Sequence, residues 1–334
     1  MTMKSDSELR YMRPGSRGRI ALATTWIAFV VGGLLLMDVL QNALFGAVVL
    51  ALGGALAVAS ATIPPLRSSF VWLQRRTDRR DLVAVAVLYL TVVGLLLLAF
   101  RVFTTSNMLW FFLSFATGLV LGVGGPVVYQ VFIRGGSLAD LGIGAHRWRS
   151  TVVLALILAG VQFSITMWGY DLPRPVDWIP LLTMALTVGV FEAVFFRGFI
   201  QGRLEASFGS VPAVLCAAGL YGLYHIGYGM GAEQIFFLFA LGIIYAVAYR
   251  LTENVLVLWP LLTPLGYLFA ELESGDLGGE LPWASMAGFG DVLGLMGLIL
   301  WLGHRRERKR GLSPEVTVPG RPEVVRSRDE ALVG

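Results

Sequence analysis

The sequence predicts an all-α protein, a polytopic transmembrane helical bundle of about ten spans. Three observations carry the prediction. Hydrophobic residues make up 56% of the chain and charged residues only 14%, with a mean hydropathy of +0.72, well above the balance of a water-soluble domain. The apolar runs reach the roughly 20 residues that a helix needs to cross the hydrocarbon of a bilayer. Basic residues gather on alternate connections between those runs, as the positive-inside rule requires.

Residues 1–19 are polar and basic, with Lys4, Arg10, Arg13, Arg17 and Arg19. The apolar run from Ile20 to Leu40 is too long for a signal-peptide core and has no obvious small-residue cleavage site, so it reads as an uncleaved first span. Further spans are expected over 43–63, 82–100, 108–133, 151–168, 179–201, 211–228, 235–249, 255–269 and 286–302. With a cytoplasmic N-terminus this count places Arg67, Arg75, Arg76, Arg79, Arg80, Arg134, Arg147, Arg149, Arg203, Arg250 and the Arg305–Arg310 cluster inside. Arg101 and Arg174 fall outside, where Asp171, Asp177, Glu233, Glu271, Glu273, Asp276 and Glu280 collect. One span more or fewer would scramble this segregation. Trp168, Tyr170, Trp178, Tyr249 and Trp301 lie near span ends, where amphipathic rings anchor at the interface.

Residues 303–334 are charged, contain Pro314 and Pro319 and lack an apolar face, so they are expected to form a disordered basic cytoplasmic tail. Both termini are then cytoplasmic, and the plasma membrane is the expected location. The net charge of +4 resides in flanks of apolar segments, which points to the lipid bilayer as partner and not to nucleic acid. Cys216 is the sole cysteine, excluding an intrachain disulfide and a cysteine metal cluster. Gly122, Gly124 and Gly125 suit close helix packing.

The chemistry concentrates between Phe191 and His225. Glu192 lies within a span, where an ionisable group costs roughly 3 kcal/mol on insertion scales and therefore faces protein and often carries function. Gly209 suits a left-handed helix cap, Ser210 an N-cap and Pro212 the first turn of the next helix, which together make a helical hairpin. Glu192 lies 17 residues before Gly209 and His225 16 residues after it, so antiparallel helices put both about 25 Å from the turn, at matching depth. Spacing alone leaves open whether they face each other. His225 is the one histidine within a span, since His146 and His304 lie in flanks. A glutamate and an imidazole sharing a water can act together as a general base.

Glu192-Ala-Val-Phe-Phe-Arg197-Gly198 followed by Tyr221-Gly-Leu-Tyr-His225 resembles the CPBP family of intramembrane proteases, which includes CAAX prenyl endopeptidases, bacteriocin-processing and immunity proteins and Abi proteins. The family pattern is E-E-x-x-x-R, then F-x-x-x-H on the next helix, then H-x-x-x-N or H-x-x-x-D two helices later. The resemblance covers residues 178–270 as a four-helix core, with Ser137–Ile143 similar to the family's lead-in loop. It divides the chain into a basic N-terminus over 1–19, N-terminal helices over 20–177, the core over 178–270, an external loop and last helix over 271–302, and the tail over 303–334. It implies that Glu192 is the general base, that His225 helps it activate water against a peptide carbonyl, and that the substrate is a membrane-associated peptide or protein. The family is described both with and without a metal, so Glu192 and His225 are also the residues that would hold a divalent ion such as zinc.

Three departures qualify the resemblance. The second acid of the first motif is Ala193, so Arg197 lacks its i,i+4 partner and is left to snorkel to the interface or pair elsewhere. The second motif carries Tyr221 for Phe, adding a hydroxyl. The third motif, whose His and Asn the resemblance implies stabilise the oxyanion, would align near Thr263 or Pro264 and near Tyr267 or Leu268, and supplies neither His nor Asn. The Thr263 and Tyr267 hydroxyls share a helix face and are candidate substitutes, although such hydroxyls commonly bond to backbone carbonyls. A catalytic zinc takes three protein ligands, and only Glu192 and His225 offer themselves. The readings are an intramembrane endopeptidase, a protease-derived binding or immunity protein without turnover, and, more remotely, a transporter, for which no inverted repeat is visible.

In a Cys216→Ser background in intact cells, a membrane-impermeant maleimide is expected to label Asp276→Cys and to leave Arg76→Cys unlabelled. Labelling of both, or the reverse, would contradict the ten-span topology.

Overall fold

The computed structural model describes residues 78–103, 113–114, 116–144, 148–172, 174–257, 264–268 and 283–310, and these are all-helical, with no strand among them. Helix α1 spans Arg79–Val102, α2 Thr117–Ile133 and α3 Trp148–Thr166. Helix α4 covers residues 178–208, α5 Ser210–Tyr224, α6 Ala232–Thr252 and α7 Trp283–Arg310. Among the described residues, the helices Arg79–Val102, Ala185–Phe208, Ser210–Tyr228 and Ala232–Arg250 are long and apolar enough to cross a membrane. They coincide with the spans expected over 82–100, 179–201, 211–228 and 235–249, whereas those over 20–40 and 43–63 lie outside the described residues. Val83, Val87, Leu90 and Leu98 are exposed on α1, the apolar outer face that lipid contact requires.

The sequence signals explain the ends of these helices. Asp78 caps α1, its carboxylate accepting from the Arg80 N–H at 2.9 Å. That bond, aided by the Arg134 guanidinium, holds the Asp78 carboxyl below the usual carboxylate range. Gly209 joins α4 to α5 at φ 86°, ψ 171°, a region that only glycine adopts readily. The cap therefore differs from the left-handed one expected, and Ser210 is the first residue of α5, with Gly209 itself in the N-cap position.

Other expectations also change. Helix α4 is regular only to Glu192 and then widens into a π-helix over Ala193–Gln201. The span expected over 255–269 opens on a turn in which the Leu256 N–H donates to Asn254 Oδ1, and helix is described only at 264–268. Tyr249, expected at the interface, is 9% exposed and packs over Gly142. The last helix continues to Arg310, so residues 303–310 are helical and not a disordered tail. The Glu307 carboxylate accepts from the Leu138 N–H there, and Gly303 lies against Val127 and Leu138, contacts that the tail's composition does not reveal. Residues 311–334 lie outside the described residues.

The main core is an apolar cluster contributed by α1 to α6 and the Ser137–Ile143 loop. Small residues set its spacing. A Cβ on Gly222 would meet the backbone of Ile235 and Phe239, and one on Gly242 the backbone of Ala218, so α5 and α6 cross in backbone contact. Gly122 admits the Phe191 ring and Gly125 admits Leu88, the packing role expected of these glycines. Ion pairs tie the helix ends that the charge pattern assigned to one side: Arg134 reaches Asp78 at 2.7 Å and Asp81 at 3.4 Å, and Arg203 reaches Asp81 at 3.6 Å. Gln201 Nε2 donates to Glu205 Oε1 at 3.0 Å and to the Ala246 carbonyl at 2.9 Å, joining α4 to α6.

The Ser137–Ile143 loop is held by a reciprocal cap between Ser137 and Asp140 and by Gln130 Nε2 donating to Asp140 Oδ2 at 2.6 Å. It closes at Gly142, φ 70°, whose carbonyl accepts from the Val255 N–H at 2.9 Å. The Leu141 carbonyl oxygen lies where a Cβ on Gly198 would stand, so the loop braces the π-segment directly. Gly198→Ala is expected to lower stability in detergent by about 1–3 kcal/mol, since backbone must move. Gly219→Ala, with nothing within 4 Å of its Cβ, should be neutral or stabilising by up to about 1 kcal/mol. Thermal unfolding of the two variants checks this, and equal effects would contradict it.

Candidate active site

Glu192 is the last residue of the regular part of α4 and is 4% exposed. All nine residues of the π-segment that follows are buried, because the segment is enclosed by α2, α5, α6 and the Ser137–Ile143 loop. Such wide turns recur at functional sites. The aromatic side chains Phe191, Phe195, Phe196 and Phe199 are buried along this part of α4, and Phe196 meets Tyr221 edge-on and Tyr224 at a tilt, with ring centroids 5.4 and 4.8 Å apart.

A buried carboxylate needs donors, and α5 supplies them. Tyr224 Oη donates to Glu192 Oε1 at 2.5 Å and Tyr221 Oη donates to Oε2 at 3.2 Å. Tyr221, Tyr224 and Tyr228 recur at a spacing of three and four residues, so they line one stripe of the helix. A hydrogen bond to a charged group contributes about 1.5–3 kcal/mol, so two of them are of the size needed to offset the roughly 3 kcal/mol cost of a carboxylate at membrane depth.

His225 ends α5 and begins the single-turn helix His225–Tyr228. It is 5% exposed. Its Nδ1 lies 2.9 Å from the Tyr221 carbonyl oxygen, which can only accept, so Nδ1 carries the proton and Nε2 is the basic nitrogen of the neutral ring. The imidazole centroid lies 4.0 Å from the Tyr224 ring and 5.2 Å from the Tyr221 ring. Tyr224 thus touches both members of the expected pair, its hydroxyl on Glu192 Oε1 and its ring against His225.

Arg197 does not snorkel. It is 4% exposed, with Cζ 5.0 Å from the Tyr221 ring centroid and 5.6 Å from that of Tyr245. Desolvated cation–π contacts of this kind contribute about 2 kcal/mol, and they stand where the missing acid would have paired. Tyr221 therefore serves twice, its face toward the guanidinium and its hydroxyl on Glu192. Sequence reasoning missed Tyr224 and Tyr245. The signal for Tyr224 was present in the Tyr221, Tyr224, Tyr228 stripe, since buried phenol hydroxyls within a span need acceptors.

The third-motif candidates are placed differently. Thr263 lies outside the described residues. Tyr267 is 45% exposed, and its neighbour Leu265 packs in a separate apolar cluster with Met167, Leu181 and Ala185. Asn254 Nδ2 donates to the Gly144 carbonyl at 3.0 Å while Oδ1 accepts from Leu256, which makes it a turn brace. Among the described residues no three His, Cys, Asp or Glu side chains come together. Glu192 and His225 alone fall short of a three-ligand zinc site, and both Glu192 oxygens already accept from tyrosines.

Residues 173–261 match the family model described as type II CAAX prenyl endopeptidase Rce1-like. The match takes in Glu192, Arg197, Tyr221, Tyr224 and His225 and ends before Thr263 and Tyr267. Searches of the curated proteins and of the solved structures find no match.

Tyr224→Phe keeps the ring on His225 and deletes the shorter bond to Glu192. It is expected to cost about 1–3 kcal/mol, more than Tyr221→Phe, whose bond is longer. Thermal unfolding in detergent measures the difference, and two silent variants would contradict the assigned hydrogen bonds.

Proposed function

We propose that the chain is an intramembrane endopeptidase of the CPBP type, hydrolysing a peptide bond in a membrane-associated peptide or protein. The observation that carries this reading is the buried Glu192 carboxylate, oriented by two tyrosine hydroxyls beside His225 within the segment that matches the prenyl endopeptidase family. In this reading a water sits between Glu192 and Nε2 of His225. Glu192 takes one of its protons while the oxygen attacks the carbonyl carbon, and His225 Nε2 holds the other proton in a hydrogen bond. The tyrosines keep the carboxylate in one rotamer throughout, so little reorganisation accompanies the proton transfer.

The proposed placement is an integral protein of the plasma membrane with about ten spans and both termini cytoplasmic. The meeting of Asp78, Asp81, Arg134 and Arg203 at one end of the bundle supports that parity.

A second reading, a binding or immunity protein that keeps the site without turnover, is favoured by one observation: among the described residues, Tyr267, the candidate substitute in the third motif, is 45% exposed while Glu192 and His225 are buried. Cleavage of a peptide library by purified protein separates the two. The protease reading predicts products from the parent and a loss of at least about 10²-fold in kcat/KM for Glu192→Gln and His225→Ala, the usual contribution of acid–base groups. Peptide binding without products would favour the second reading, and cleavage that survives both substitutions would remove the site assignment.

A further inference from the structure

Two departures from the family pattern, the alanine at 193 and the vacant third motif, converge on Arg197. The guanidinium is 4% exposed, and neither Nη1 nor Nη2 has a hydrogen-bond partner among the described residues. Buried polar groups are paired in about 90% or more of cases, so two unpaired donors on one buried cation call for an acceptor. The residue that would supply it on the same face, four positions earlier, is Ala193, 7% exposed. Tyr221 connects the cation to the site: its ring centroid is 5.0 Å from Arg197 Cζ and its hydroxyl is 3.2 Å from Glu192 Oε2. The donor is therefore held within about one tyrosine of the base, in surroundings from which water is excluded.

Other candidate polar side chains among the described residues have different roles or positions. The Tyr221 and Tyr224 hydroxyls donate to Glu192, Asn254 braces a turn, and Tyr267 is 45% exposed. The geometry points to Arg197 as the oxyanion donor of the proposed hydrolysis, its Nη1–H and Nη2–H groups stabilising the charge that develops on the substrate carbonyl oxygen. This inference rests on the protease reading. Glu192 takes a proton from water, the new C–O bond forms, and the carbonyl π pair moves to the oxygen facing Arg197. Collapse of the tetrahedral species breaks the C–N bond, and Glu192 returns the proton to the leaving nitrogen. The loss of the acid at 193 then has a chemical consequence: it releases these donors to serve in place of the third motif. A fixed cation in a dry site needs no reorganisation as charge develops.

The test uses the full-length protein in detergent with a cleaved peptide and the same peptide carrying a phosphinate in place of the scissile amide, a stable mimic of the tetrahedral oxyanion. Arg197→Gln is expected to lower kcat about 10²- to 10³-fold, the usual effect of removing an oxyanion donor, with KM changed less than about threefold. It should weaken phosphinate binding by a similar factor while leaving amide-peptide binding to Glu192→Gln protein within about threefold. Arg197→Lys should recover part of the loss. Ala193→Glu, which gives Arg197 an acid of its own, should lower kcat more than about 10-fold beyond Ala193→Met, which adds comparable bulk without charge. An Arg197→Gln protein that retains kcat, or an Ala193→Glu protein as active as the parent, would overturn the assignment while the protease reading stands. A parent that neither cleaves nor prefers the phosphinate ends the protease reading and this one with it.

Discussion

The site depends on one constraint, a carboxylate enclosed by protein within an apolar helix bundle. Glu192 meets it through Tyr224 and Tyr221, whose rings are at home among Phe191, Phe195 and Phe196 while their hydroxyls serve as donors. A tyrosine suits this task better than serine or lysine because its apolar body fills the core and only its tip needs a partner. The same rings then order the other polar groups. Tyr224 packs on His225 at 4.0 Å, and Tyr221 lies under Arg197 at 5.0 Å. Acid, base and cation are thus arranged by two residues on successive turns of α5.

The surrounding fold serves that arrangement. Gly222 and Gly242 bring α5 and α6 into backbone contact, which places Tyr245 beside Tyr221 with centroids 5.6 Å apart. Gly122 makes room for Phe191, next to Glu192 in the chain. All nine residues of the π-segment Ala193–Gln201 are buried, and the Leu141 carbonyl seated on Gly198 braces its position. A side chain at any of these glycines would push apart elements whose spacing sets hydrogen-bond distances a few residues away. Precision at the site therefore derives in part from small residues that contribute no functional group to it.

Much of this was legible in the sequence. Run length and hydropathy point to the spans of α1, α4, α5 and α6, and counting from Gly209 predicts similar distances from the turn for Glu192 and His225. The helical rotation that aims Tyr221 and Tyr224 at Glu192 was not legible, because it depends on which faces α5 and α6 bury against each other. The π-segment was equally hidden, since nothing in Ala193–Gln201 distinguishes it from an ordinary apolar helix until its neighbours enclose it. Arg197 was open to two fates and took burial, because Tyr221 and Tyr245 offer it two ring faces in place of an acid. Tyr224 was passed over because family likeness drew attention to motif positions, although the tyrosine stripe pointed to it. The last helix ran on to Arg310 through a Glu307 contact with Leu138 that is 169 residues away in sequence, a distance at which local composition carries no information.

We propose that the Glu192 carboxylate and the Nε2 face of His225 share one enclosed space, held there by Tyr224. An experimental density map of the protein in a lipid nanodisc, fine enough to place ordered water, tests this arrangement. The expected map shows the Tyr224 hydroxyl on Glu192 Oε1 and a single water within hydrogen-bonding distance of both the carboxylate and His225 Nε2. A map in which the carboxylate turns away from Tyr224, or in which the two groups face separate surfaces with no position for a shared water, would contradict it.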